Sequence, residues 1–184
     1  MNEARLVKIS KYLSKHLRHD PEGLGLTLAP GGWVGTGDLL AACAHQGVEF
    51  SRADLEEVVA KNSKQRFSFD ATGTLIRASQ GHSIDVDLQL SPALPPDLLY
   101  HGTGHLTAPL IARTGLEKMR RHHVHLSADT ETARTVGSRH GRPVIFTVLA
   151  AQMADAGHMF YRSDNGVWLT DRVPPEFLYT PFNG

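Results

Sequence analysis

The stretch MRRHHVHLS (Met119–Ser127) concentrates two arginines and three histidines within six positions, next to residues that are typical of a β-strand. Arginine presents a fixed fork of N–H donors that matches phosphate oxygens, and histidine can donate, accept or carry charge near neutral pH. The pattern at 124–126 predicts a strand that would hold these side chains in a fixed direction. The composition favours an anion-binding site, and a solvated basic loop leading into a strand is the alternative.

Length, charge and cysteine content limit the class of protein. The 184 residues are 41% hydrophobic, which permits a real core and fits either one domain or two small ones. The 19 basic residues equal the 19 acidic ones, so contact with a polyanion would need a local patch rather than a uniformly basic coat. Cys43 is the only cysteine, which excludes an intrachain disulfide framework and favours a reducing cytoplasm. No apolar run has the length of a membrane span, and we expect no membrane partner.

An amphipathic helix is predicted over roughly residues 3 to 18. Its apolar side consists of Leu6, Ile9, Leu13 and Leu17. Its opposite side carries the cations Lys8, Lys11, Lys15 and Arg18. This cationic side could follow a nucleic-acid backbone, or it could simply keep the helix soluble. Pro21 disfavours helical geometry before it, which leaves Arg18 and His19 at the helix C-terminus, where the dipole favours cations.

Further along, residues 23–28 alternate like a short strand, and Gly31-Gly32 predicts a turn. A helix is expected to start at Thr36 or Gly37. A second helix is expected at 51–61, because its first serine is followed three residues later by an acid, as in a capping box. The sequence therefore predicts two short helices in tandem.

A β-hairpin is predicted next, with strands at 66–69 and 74–77 around a turn at 70–73. Helices followed by a hairpin suggest a winged helix, an architecture that often places a helix and a wing on nucleic acid. Lys64 and Arg66 lie at the start of this hairpin and could extend the basic side of the first helix.

A linker is predicted between Gln80 and Pro96, because an acidic extended stretch there leads into three prolines. The second half opens with a strand at 98–103 that ends in His101-Gly102-Thr103. Glycine at this point would let a ligand lie against bare backbone, with the threonine hydroxyl available as a donor.

The remaining pattern predicts a compact mixed sheet with only two helices. One helix is expected at 106–113, closed by Gly115, and a second is capped by Asp129. Residues 143–148 form the clearest buried strand. The other predicted strands are short and lie at 124–126, 159–161, 167–170 and 177–179.

Several motifs, in order and at plausible spacing, resemble the RNA 2′-phosphotransferases, called KptA in bacteria. The resemblance runs nearly end to end. It rests on Ser14–Pro21, Arg66, Tyr100–Thr103, Gly115–Ser127, Gly141–Val144 and Asn165–Thr170.

The resemblance implies an α+β protein with an N-terminal winged-helix, RNA-binding lobe at 1–85. A C-terminal mixed β lobe of the ADP-ribosyltransferase type, at 96–184, would bind NAD, and the active site would lie between the lobes. The family uses NAD as a co-substrate, without a metal, to remove an internal 2′-phosphate through a 2′-phospho-ADP-ribosylated RNA. The products are RNA with a 2′-hydroxyl, nicotinamide and ADP-ribose 1″,2″-cyclic phosphate. A tRNA-like splicing junction is one expected substrate, and a monomer is favoured.

The resemblance also assigns roles to particular residues. The catalytic set carries over onto Arg18, His19, Arg66 and Arg121. Arg121 is chosen over Arg120 because the family has an arginine two residues after methionine and two before His-Val-His. The expected NAD contacts are His101, Gly102, Thr103, His125, Ser127 and Arg139. The expected RNA contacts are Lys8, Lys11, Lys15 and Lys64.

Two alternative functions stay open on the sequence. One is a transferase that caps phosphorylated RNA or DNA ends with ADP-ribose and goes no further. The other is a non-enzymatic, nucleic-acid-binding winged-helix protein with a degenerate NAD fold. The glutamate-centred triad of many protein-modifying ADP-ribosyltransferases is not recognisable, which fits an acceptor that is already an anion.

Overall fold

The structure is a computed structural model, and it describes residues 1–179. The chain divides into two compact units, Met1–Leu90 and a second unit that begins at Ser91. Together the described residues form six α-helices and several small antiparallel sheets, an α+β protein. The helices are α1 (Glu3–His19), α2 (Thr36–His45), α3 (Arg52–Lys61), α4 (Ala108–Thr114), α5 (Thr130–Gly137) and α6 (Ala150–Asp155).

Helix α1 begins and ends where its local chemistry dictates. The Asn2 side chain accepts a hydrogen bond from the Arg5 backbone N–H, which caps the first turn. Leu13 and Leu17 are fully buried in the core of the first unit, which confirms the predicted apolar side. The helix ends at His19, directly before Asp20-Pro21, as the proline predicted.

The tandem helices and the hairpin are confirmed. Helix α3 starts with a capping box, since Ser51 accepts from the Asp54 backbone and the Asp54 carboxylate accepts from Ser51. The strands of this unit are β1 (Val34–Gly35), β2 (Phe67–Phe69) and β3 (Leu75–Ala78). They form one antiparallel sheet in the order β1-β3-β2, so the hairpin has a third strand that the sequence did not predict.

The predicted strand at 23–28 is wrong. The chain instead forms a 3-10 turn at Glu22–Leu24, closed by Gly25 in the left-handed conformation. Asp20 starts this turn, because its carboxylate accepts the Gly23 N–H at 3.0 Å. Alternating leucines and glycines therefore reflect a turn whose leucines Leu24 and Leu26 both reach the core, rather than a pleated strand.

The second unit is built from short strands. They are β4 (Leu99–Gly104), β5 (Leu116–Glu117), β6 (Val124–Leu126), β7 (Pro143–Val148), β8 (Phe160–Arg162), β9 (Trp168–Thr170), β10 (Arg172–Val173) and β11 (Leu178–Tyr179). They form three antiparallel sheets with the orders β11-β7-β4, β6-β9-β8 and β10-β5. Leu99, Phe146 and Trp168 belong to the buried core of this unit.

Two predictions for this unit need correction. Strand pairing within residues 1–179 is antiparallel throughout, in separate small sheets, and not one mixed sheet. The described part of the unit also contains three helices rather than two. Helix α6 was missed because its six residues are too few to show a helical period in the sequence.

No helix within residues 1–179 combines the length and the apolar character needed to cross a membrane. The assignment of an RNA-binding role to one unit and an NAD-binding role to the other stays a prediction.

Candidate active site

The end of α1 is covered by the segment that follows β3. The backbone N–H of Ser83 donates to the Arg18 carbonyl at 2.9 Å, and the Ser83 hydroxyl lies 2.8 Å from Nδ1 of His19. These two bonds hold the segment against the last turn of the helix. As a result, His19 is exposed but fixed in direction by a hydroxyl from another part of the unit.

Arg18 does not lie on a solvent-facing cationic side with the lysines. Its Nε and Nη2 atoms are shielded from solvent, and the side chain as a whole is only half exposed. Gly81, whose φ is 87°, passes so close that a Cβ there would lie 3.5 Å from Arg18 Nη1. Helical spacing places Arg18 in line with Lys15 and Lys11, but the chain after β3 covers it, and helical periodicity cannot reveal that.

Arg66 is oriented through a buried asparagine. Its Nη1 donates to the Asn62 side-chain oxygen at 3.3 Å, while Asn62 Nδ2 donates to the Ser10 hydroxyl of α1 at 2.8 Å. Asn62 is only 6% exposed, so both of its polar ends need these partners. The arginine that enters the hairpin is therefore tied to α1 through one amide.

The predicted RNA-contacting lysines are all exposed, namely Lys8, Lys11, Lys15 and Lys64. Lys15 Nζ lies 4.0 Å from the Asp20 carboxylate, a surface pair that contributes little to stability. Their exposure fits a cationic surface equally well with or without RNA, so their role stays a prediction.

In the second unit, β4 and β6 bring together three of the predicted residues. His101 Nδ1 lies 3.1 Å from the backbone carbonyl of His125, and Arg121 Nη1 lies 2.9 Å from the His125 Nδ1. A carbonyl can only accept, so His101 carries its proton on Nδ1 and leaves Nε2 as an acceptor in the neutral ring. By the same argument, His125 accepts from Arg121 through an unprotonated Nδ1.

Burial lowers the pKa of His101 below its usual value, and the nearby Arg121 guanidinium acts in the same direction, while the hydrogen bond to His125 raises it. Because the lowering causes prevail, the neutral imidazole is favoured. A neutral His101 offers Nε2 as a hydrogen-bond acceptor to a hydroxyl of a bound ligand.

The backbone of β4 has an open edge beside these side chains. Tyr100 and Ser127 exchange two backbone hydrogen bonds of 2.9 and 2.8 Å, and within residues 1–179 the pairing of β4 with β6 stops there. Successive strand residues point their N–H and C=O groups to opposite sides, so those of Gly102 point to the same side as those of Tyr100, away from β7. Gly102 thus presents one donor and one acceptor to the space where the two strands diverge.

The reason for glycine at 102 differs from the prediction. A Cβ at this position would lie 1.6 Å from the carbonyl oxygen of Ala133 and 3.0 Å from the backbone nitrogen of Gly137, both in α5. The missing side chain therefore lets α5 pack directly on β4. Gly102 is buried, and α5 covers the face on which a side chain would stand.

The other predicted NAD contacts lie outside the hydrogen-bonded group of His101, Arg121 and His125. Thr103 is 8% exposed on β4, and Ser127 is bonded to Tyr100 through its backbone. Arg139 is exposed in a 3-10 turn at Ser138–His140, and the structure does not join it to the His101 cluster.

Sequence reasoning missed Asn62 and Ser83, which hold Arg66 and His19. Neither residue stands in a recognisable local motif, because each acts on a side chain that only the fold brings near. Within residues 1–179, no three His, Cys, Asp or Glu side chains are grouped so that they could hold a metal ion.

Arginines and imidazoles held by neutral partners are the side chains expected of a protein that handles phosphate. Comparison with known proteins makes the class specific. Residues 4–172 match the model of the family described as "RNA 2'-phosphotransferase, Tpt1 / KptA family". The chain belongs to this family, as its motifs predicted.

Close relatives carry the same description. A protein of Nostoc punctiforme named "Probable RNA 2'-phosphotransferase" is 64% identical over 178 residues, which cover 97% of this chain and 98% of that protein. Proteins of the same name from Trichormus variabilis and Herpetosiphon aurantiacus are 66% and 58% identical, again with 97% of this chain and 98% of each relative covered.

Proposed function

We propose that this protein removes an internal 2′-phosphate from RNA and passes it to NAD, which serves as co-substrate. Family membership and full-length relatives named for this activity support the phosphotransferase class. The observation that carries NAD as the acceptor is the open edge of β4 at Gly102, flanked by His101 and by the Arg121–His125 pair. A backbone donor and acceptor side by side match the carboxamide of nicotinamide.

The proposal gives each unit a role. Residues 1–85, with tandem helices and a three-stranded sheet, act as a winged-helix lobe that binds RNA through Lys8, Lys11, Lys15 and Lys64. Residues 96–184 act as a lobe of the ADP-ribosyltransferase type that binds NAD. The strand-edge geometry at Gly102 supports the second role, and membership of an RNA 2′-phosphotransferase family supports the first.

His101 and its neighbours hold the nicotinamide half of the dinucleotide. Gly102 pairs with the carboxamide through its backbone, while Nε2 of His101 accepts a hydrogen bond from a ribose hydroxyl. Thr103 helps to fix the nucleotide and Ser127 is the next contact, while weaker contacts are assigned to His125 and Arg139. Because His101 is neutral near pH 7, it places no positive charge against the cationic nicotinamide ring.

The first step needs positioning more than acid–base chemistry. An oxygen of the RNA 2′-phosphate attacks the anomeric carbon of the nicotinamide ribose, and the glycosidic bond breaks with its electrons passing to the ring nitrogen. The nucleophile is already an anion and the leaving group already a cation, so no strong base is required. The result is RNA joined through its 2′-phosphate to ADP-ribose.

In the second step the neighbouring ribose 2″-hydroxyl attacks the phosphorus, and the bond from phosphorus to the RNA 2′-oxygen breaks. The hydroxyl proton ends on that RNA oxygen. The guanidiniums of Arg18, Arg66 and Arg121 stabilise the charge that grows on the phosphoryl oxygens, an effect worth roughly 3 to 4 kcal/mol per donor in comparable sites.

His19 is assigned to this second step, where it hydrogen-bonds the phosphoryl group or carries the proton between the two oxygens. Ser83 supports the assignment, because its hydroxyl engages Nδ1 and fixes the orientation of the ring. Fixing one nitrogen of an imidazole determines the direction in which the other works.

The test is incubation of a short RNA carrying one internal 2′-phosphate, with and without NAD. We expect RNA with a free 2′-hydroxyl only when NAD is present, together with equal amounts of nicotinamide. Removal of the phosphate without NAD would refute the proposal. Stable accumulation of ADP-ribosylated RNA would instead favour an end-capping transferase.

A further inference from the structure

A cavity of about 460 Å³ lies in the second unit. It is lined by His105, Pro109, Arg134, Arg142, Pro143, Val144 and Ile145. Its floor is thus proline and aliphatic, its rim is two guanidiniums and an imidazole, and among the described residues no carboxylate lines it. Volume and lining suit a nucleotide-sized anion rather than an apolar molecule.

The fold holds the rim in place. The backbone N–H of His105 donates to the Arg142 carbonyl at 2.9 Å, which extends the β4–β7 ladder by one pair beyond Gly104 and Pro143. His105 and Arg142 therefore stand opposite each other at the end of a paired sheet. Arg134 comes from α5, which packs directly on β4 at Gly102.

Among the described residues, the two arginines that line the cavity have no carboxylate partner. Within residues 1–179 neither Arg134 nor Arg142 lies within ion-pair distance of a carboxylate, and both are exposed. The exposed Arg172, by contrast, pairs with Glu117 at 2.7 Å. In a chain without net charge, two such guanidiniums over one cavity form a local positive site.

The cavity lies at the end of the β4–β7 ladder, and neither His101 nor its partner Phe146 lines it. Pro143 and Ile145 stand opposite Gly104 and Gly102 and share the face on which α5 packs. His105, Arg142 and Val144 alternate with these residues, so both faces at this end of the sheet contribute to the cavity. None of the residues proposed to contact nicotinamide lines the cavity.

We propose that this cavity binds a backbone phosphate of the RNA strand, with Arg134 and Arg142 as its two forks of donors and a base or sugar over the apolar floor. The inference rests on the proposed RNA substrate. It adds a second RNA contact, on the unit to which the NAD-binding role is assigned, that recognises the strand and not the 2′-phosphate.

The test compares two charge-matched double variants of the full chain. R134Q/R142Q removes both guanidiniums that line the cavity. R113Q/R172Q removes two exposed arginines of the same unit that do not line the cavity. The probe is a fluorescein-labelled, 20-nucleotide RNA without a 2′-phosphate, and its affinity is measured by anisotropy over a range of salt concentrations. Thermal unfolding of both variants verifies that they are folded.

We expect R134Q/R142Q to bind this RNA roughly tenfold more weakly than the control variant, with a salt slope lower by about 0.7 for each phosphate that the variant fails to neutralise. NAD affinity, measured by calorimetric titration, should equal that of the control. RNA binding equal to the control would overturn the inference. So would weaker NAD binding with unchanged RNA binding, since the cavity would then hold the dinucleotide.

Failure of the proposed function is distinguishable from failure of this inference. If R134Q/R142Q loses RNA affinity but the wild-type protein does not remove the 2′-phosphate, the RNA-binding role of the cavity is retained and the proposed reaction is refuted. If the wild-type protein removes the phosphate but R134Q/R142Q binds RNA like the control, the proposed reaction is retained and the RNA-binding role of the cavity is refuted.

Discussion

At the scale of single residues, the neighbours Arg120 and Arg121 are expected to differ in role, because only Arg121 is proposed to be catalytic. Both side chains are exposed, and Arg121 donates to His125. We expect R121Q to lower kcat at least about 100-fold, the loss typical of one donor to developing charge, while R120Q stays close to wild type. Equal activity of the two variants would remove Arg121 from the catalytic set.

The pKa of His101 gives a prediction about stability. The folded protein lowers this pKa from the ordinary 6.5, so below about pH 6.5 the unfolded chain binds a proton that the folded chain resists. The free energy of unfolding should therefore fall as the pH is lowered from 7.5 towards 5. His101→Gln should flatten part of this decline, as followed by urea unfolding at each pH.

The matched control for that measurement is His140→Gln, which removes an exposed histidine of the same unit. Its pH dependence should stay like that of wild type. Some slope should remain in both variants, because burial also lowers the pKa of His123. An unchanged slope in His101→Gln would contradict the neutral state assigned to this imidazole.

At the same scale, the sequence predicts which residues carry the site but not the way they are held. Motif spacing distinguished Arg121 from Arg120, and the structure then paired Arg121 with His125. Nothing in the sequence indicated Asn62 as the acceptor for Arg66. Such partners are set by tertiary distance, which a local pattern does not encode.

At the scale of elements, the contact between β4 and α5 depends on one missing side chain. G102A places a Cβ against the Ala133 carbonyl, where the backbone cannot yield easily. We expect a loss of roughly 3 kcal/mol in the free energy of unfolding. G37A in α2 is the matched control, since a Cβ there meets nothing within 4 Å, and it should be neutral or slightly stabilising.

The link between α3, the hairpin and α1 gives a second prediction. N62A removes the oxygen that orients Arg66 and should cost about 1 to 3 kcal/mol of stability, together with roughly ten- to 100-fold in turnover. S10A breaks only the bond that Asn62 Nδ2 donates, so it should cost stability without a comparable loss of turnover. Parallel losses of activity in both variants would make Asn62 a purely structural residue.

Elements with strong local signals were predictable, and those defined by packing were not. The proline after α1, the capping box of α3 and the Asp129 cap of α5 each marked a helix correctly. Residues 23–28 misled because leucines can reach a core from a turn as well as from a strand. The two-residue strands β1, β5 and β10 exist only through their partners, so no period could predict them.

At the scale of the whole molecule, a neutral chain of 184 residues has to handle polyanions with local sites. The exposed lysines of α1, the Arg121 pair and the Arg134–Arg142 cavity are proposed as three such sites on a protein without net charge. Local sites of this kind predict a modest salt dependence that changes site by site when charges are removed.

The central claim is that the 2′-phosphate is transferred to NAD-derived ribose and not released by water. The direct measurement follows an RNA whose internal 2′-phosphate carries a radioactive phosphorus, incubated with the protein and NAD. The account predicts that the label leaves the RNA as ADP-ribose 1″,2″-cyclic phosphate, with one nicotinamide released per label. Label recovered as inorganic phosphate would contradict it.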